Sequence, residues 1–252
     1  MGGMNELPHN TSPWPKVLAI TLIAAAGFVV GSLFAEILQA IIISGTEFPG
    51  GASRLATMAA PPWWAVATNL LGIWMGIGGS AIYIVRQKWA PALTGLLRAR
   101  WSDIIYVLVG VGAQFAIAIA YAPFHLGTKL NVPVKHIFGG AGAFLWLIGI
   151  MSILGAPFFE EVLFRGVIFR GVRARLSERN ENFAYPFALI FSAALFALAH
   201  FELLQLPGLF SVGLLLGYVV HRTGRLAPAI ISHASFNTVA FVVVTFVQHG
   251  KI

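Results

Sequence analysis

Long stretches without one ionised side chain are what most limit the folds open to this chain. Residues 65–85, 104–124 and 137–159 contain no Asp, Glu, Lys or Arg, and 17–43 contains only Glu36. Residues 183–201, 203–220 and 226–248 carry no charge beyond the histidines His200 and His233, and 158–176 is apolar but contains Glu160, Glu161, Arg165 and further arginines. A helix needs ~20 residues of this kind to cross the hydrocarbon core of a bilayer. Water as the only solvent is excluded by composition: 58% of the residues are hydrophobic and 10% charged, where soluble domains are about one-quarter charged. The expected fold is all-α, a polytopic transmembrane bundle of about eight helices. A polar tail over 1–16 precedes one transmembrane domain over 17–252.

The chain has no cysteine, which removes disulfides and thiolate sites. The polar start lacks a basic segment followed by a short apolar run and a small-residue cleavage site, so 17–43 reads as a retained span. Glu6 stands where a myristoylation signal needs Ser or Thr. The formal charge of +7 sits in short connections, with Arg86, Lys88, Arg98 and Arg100 in one and Arg170, Arg173, Arg175 and Arg179 in another. That is the pattern of positively charged cytoplasmic loops, and it argues against a nucleic-acid partner. One crossing per apolar run would nevertheless put these two basic connections on opposite sides of the membrane. Glycines such as Gly110, Gly112, Gly139, Gly140 and Gly142 are expected to let helices approach closely.

Charge at membrane depth costs ~2.5 kcal/mol or more per residue at a helix centre, so such residues mark function by default. Here they are Glu160, Glu161, Arg165, His200 and His233, joined by the polar Asn237. Glu161 and Arg165 are four apart and share a helix face. Arg165 can therefore neutralise Glu161 and leave Glu160 pointing elsewhere. His233 and Asn237, also four apart, form one polar stripe on an apolar helix. Singly, each has a plain structural explanation: a helix start after Pro157, an interfacial histidine, a hydrogen-bonded pair between helices. Jointly, a carboxylate pair with an arginine, a histidine 40 residues after Glu160, and a His–Asn pair 33 residues further on make a hydrolytic set. Peptide hydrolysis needs a base for water and donors for an oxyanion.

The order Glu-Glu-x-x-x-Arg, Phe-x-x-x-His, His-x-x-x-Asn (Glu160-Glu161…Arg165, Phe196…His200, His233…Asn237) resembles the CPBP family of intramembrane peptidases, which includes CAAX prenyl endopeptidases and bacteriocin-processing or Abi proteins. The resemblance covers roughly residues 150–244. It implies an eight-helix fold with the site in a cavity inside the membrane. It also implies roles. Glu160 with His200 activates a water, His233 and Asn237 stabilise the oxyanion, and Glu161 with Arg165 supports the site.

A zinc mechanism uses the same residues, with Glu160, His200 and His233 as three ligands and a fourth position for water; no His-Glu-x-x-His motif accompanies it. An aspartyl protease needs two aspartates, and Asp103 is the only one. Ser80, Ser232 and Ser235 lack the surroundings of a nucleophile. The rival from another class is a non-catalytic membrane protein or a proton-coupled transporter relaying protons through Glu36, Glu160 and Glu161. The expected partners are the lipid bilayer and a peptide or membrane-protein substrate, and the expected location is a bacterial plasma membrane.

Overall fold

The computed structural model describes residues 12–46, 48–87, 96–126, 129–130, 132–243 and 245. Most of the polar tail and part of the first basic connection, Lys88 included, lie outside them. Nine helices and no strand occur among the described residues. They are α1 (Trp14–Thr46), α2 (Gly51–Thr57), α3 (Trp63–Val85), α4 (Tyr106–Tyr121), α5 (Val132–Phe138), α6 (Gly142–Ser177), α7 (Glu181–Leu198), α8 (Leu206–Thr223) and α9 (Ala227–Val242). A 3₁₀ turn at Trp101–Ile105 leads into α4. Five of the helical stretches are long and apolar enough to span a bilayer, α6 being the longest at 36 residues. With α8 and α9, which are shorter or less apolar, seven long helices run up and down.

The apolar runs 137–159 and 158–176 therefore belong largely to one helix, α6, which removes one crossing. The two basic connections then fall at the same end. Contacts agree with this. At that end Trp14 packs edge-on against Phe187, and Arg173 bonds Glu181 and His221. Arg225 donates to Asp103 Oδ1 at 2.7 Å and to the Arg98 carbonyl. This hydrogen bond to Asp103 holds the Arg225 guanidinium above its ordinary range. At the opposite end Trp63 stacks on Phe144 and Tyr121 bonds the loop between α7 and α8.

Helix limits reflect local chemistry. The Asn180 side chain accepts from the Phe183 amide and caps α7. Pro207 and Pro228 open α8 and α9. Gly224, at φ 67°, ends α8 in the left-handed conformation. Close packing through glycine holds at several positions. A methyl on Gly110 would collide with the Ser232 carbonyl, and one on Gly140 with that of Pro61. Gly112 and Gly142, by contrast, face no neighbour. The largest buried cluster gathers around the second half of α6, including Phe164, Ile168 and Phe169, and draws in Phe196, Leu216 and Ala229 from α7, α8 and α9.

Candidate active site

Glu160 lies near the middle of α6, where the helix departs from α geometry on both sides. Met151–Gly155 and Val162–Phe169 are π-helical, and the turn between them, Ala156–Glu161, is α-helical. Pro157 accounts for the first departure. It has no N–H and its ring crowds the preceding turn. The Ala156 amide bonds Met151 O, so Ser152 O can use neither that amide nor the missing one of Pro157. It accepts instead from Asn237 Nδ2 at 2.9 Å.

The two adjacent carboxylates live in different surroundings. Glu161 is sealed. Its Oε1 accepts from Arg165 Nη1 at 2.8 Å and lies 3.0 Å from His233 Nδ1, and both Glu161 and Arg165 are 0% exposed. Arg165 reaches on to the Gly213 carbonyl of α8 through Nη2. Its guanidinium lies 4.4 Å from the centre of the Phe196 ring, a favourable cation–π distance. The expected pairing of Glu161 with Arg165 is thus present, and Glu160 does point elsewhere.

Glu160 keeps 18% of its side chain accessible, and His200 30%. Glu160 Oε2 has no hydrogen-bond partner among the described residues. It stands 4.0 Å from His200 Nε2 and 3.8 Å from His233 Nε2. Those gaps are too long for direct hydrogen bonds and fit a bridging molecule. The other ring nitrogens assign the tautomers. His200 Nδ1 is 2.8 Å from the Phe196 carbonyl and His233 Nδ1 faces the Glu161 carboxylate. Both partners only accept, so each Nδ1 carries a proton and each Nε2 is turned to Glu160.

Five of the six residues singled out in the sequence therefore meet: Glu160, Glu161, Arg165, His200 and His233. Asn237, one turn beyond His233 on α9, directs an amide N–H to the Ser152 carbonyl. Glu36 is exposed on α1 and makes no ion pair among the described residues. Sequence reasoning overlooked Phe196 beyond its place in a motif. Its carbonyl orients His200, and its ring meets His200, His233 and Arg165. It also overlooked Tyr121, whose hydroxyl donates to Leu204 O at 2.9 Å and accepts from the Gly208 amide. That pins the loop carrying His200 to the end of α4. An aromatic four residues before a half-buried histidine is a signal for the first; nothing local marks the second.

The zinc alternative can be tested on the donor set. Among the described residues no three His, Asp or Glu side chains converge closely enough to hold a metal ion. The separations of 3.8 and 4.0 Å exceed what ligands ~2.0–2.2 Å from a tetrahedral zinc would show. The residues do not fit the metal as they stand.

An all-helical integral membrane protein with a carboxylate–imidazole centre between its helices is the class that fold and site define. Residues 141–239, which contain all six candidate residues, match the family model of type II CAAX prenyl endopeptidase Rce1-like proteins. Over that region the chain is similar to the CPBP family. It is 30% identical over 144 residues to the membrane-embedded CAAX protease MroQ of Staphylococcus aureus (strain USA300), a match covering 57% of this chain and 56% of that protein. The chain thus aligns with little more than half the length of this curated relative. No solved structure matches it.

Proposed function

We propose that the protein is an intramembrane endopeptidase that hydrolyses hydrophobic or membrane-associated peptides with a water activated by Glu160. The observation that carries this reading is the Glu160 carboxylate oxygen, buried and unpartnered, facing two imidazole nitrogens at 3.8 and 4.0 Å. A water held there donates one proton to Glu160 and a hydrogen bond to His200 Nε2. Its oxygen attacks the scissile carbonyl as Glu160 takes the proton. His233, whose Nδ1 faces Glu161, turns Nε2 toward the oxyanion. An amide nitrogen carries two donors, so Asn237 can bond Ser152 O and still offer one. On collapse, the proton on Glu160 passes to the leaving amine, giving a carboxylic acid and an amine. Arg165 pairs with Glu161, and Glu161 in turn fixes the His233 ring.

The family match and the relative named as a membrane-embedded CAAX protease support a protease. We place the basic end at the cytoplasm by the positive-inside rule, in a bacterial plasma membrane. The substrate is proposed as a peptide or membrane protein, not a prenylated one.

Membrane peptides would be compared between cells producing wild-type protein and Glu160→Gln. A peptide that accumulates only with the variant would then be offered to both purified forms in liposomes. Loss of a general base costs ~10²–10⁴-fold in rate, with folding unchanged. Cleavage by Glu160→Gln at the wild-type rate would refute the assignment. Chelation followed by metal analysis should leave activity intact; a loss that only zinc restores would replace the water mechanism with a metal one.

A further inference from the structure

Both π segments of α6 are held from outside. Such turns are rare and concentrate at functional sites. A π turn takes up one residue more than an α turn, so it rotates the remainder of the helix by ~100° about the axis. The facing of Glu160 and Glu161 thus depends on the two π segments that bracket them. Within a bilayer, backbone groups freed by such turns must be met by neighbouring helices. Asn237 Nδ2 meets Ser152 O in the first segment, and Ser192 Oγ donates to Phe164 O at 2.7 Å in the second.

Each donor stands on a helix that leads to one histidine. Asn237 is four residues after His233 on α9. Ser192 is on α7, eight residues before His200, or ~12 Å along the axis. Ser192 is 3% exposed. Thr21, Ser32 and Thr238 bond the carbonyl four residues back in their own helix, the ordinary arrangement, and Ser232 and Ser235 reach across to α4 while also bonding within α9. Ser192 sends its only proton across to α6. We infer that Ser192 is a positioning residue for the reaction. Its bond to Phe164 O locks α7 onto the second π segment and sets the His200–Glu160 separation, as Asn237 does for His233. The inference rests on Glu160 and His200 acting together.

Ser192→Ala should lower kcat about tenfold, as a small misplacement does, and leave KM unchanged. Ser192→Thr, which keeps the hydroxyl, should restore kcat. A second measurement needs no substrate: thermal unfolding of wild type, Ser192→Ala, Glu160→Gln and the double variant. Residues acting through one geometry give non-additive shifts in Tm. Turnover by Ser192→Ala at the wild-type rate, or shifts that simply add, would overturn the inference. Non-additive shifts in a protein that cleaves no peptide would sink the peptidase reading and leave the positioning role standing.

Discussion

Between α1 and α3 the contact is backbone against backbone. Gly27 lies against Gly76 and Gly31 against Gly72, so close that a methyl on any of them would strike the facing carbonyl or side chain. One side chain, Gln39, adds bonds to Ala65 O and Thr68. Among α6, α7, α8 and α9 the links are of another kind. Arg165 bonds Gly213 O, Ser192 bonds Phe164 O, Asn237 bonds Ser152 O, and His233 bonds Glu161. Lipid tails are as apolar as the helices, so burial alone does not join helices in a membrane. A glycine seam gives adhesion over a long surface. Directed polar bonds additionally fix each helix's rotation and height, which is what holding two imidazoles 3.8 and 4.0 Å from one carboxylate requires.

Removing the counter-charge in the polar group should have the largest effect. Arg165→Met strands Glu161 at 0% exposure, at a cost of about 3–5 kcal/mol. Little folded protein should survive detergent extraction and size-exclusion chromatography. Adding Glu161→Gln should recover much of the yield; failure to recover would show that Arg165 acts by packing and not by charge. In the seam, Gly76→Ala pushes α1 from α3 and should cost ~1–3 kcal/mol, read as a lower Tm. Its kcat should stay at the wild-type value, and a matching fall in kcat would show that the seam also orients the site. Tyr121→Phe should have the smallest effect, ~1 kcal/mol. It releases Leu204 O and the Gly208 amide, so amide exchange over residues 199–205 should quicken. Unchanged exchange there would mean that Gln205, which bonds Leu130 O, holds the loop by itself.

Hydropathy marked the spans, and the four-residue spacing of Glu161 and Arg165 predicted both their ion pair and the separate facing of Glu160. Those readings succeed because they depend on short-range order: the length of an apolar run against a bilayer, and the period of a helix. One crossing per apolar run set the two basic connections on opposite sides, against the charge rule, and that count fails because runs 137–159 and 158–176 share one helix. Nothing in either run distinguishes a helix that ends from one that continues through π turns. Pro157 is the one local sign of a disturbed ladder.

Which carbonyl Asn237 serves, where Ser192 spends its proton and how near His200 comes to Glu160 were decided by tertiary packing alone. These groups lie 28 to 85 residues from their partners, and no local preference encodes a distance between helices. That distance results from how seam, core and polar bonds settle together in a medium without water to satisfy whatever is left over.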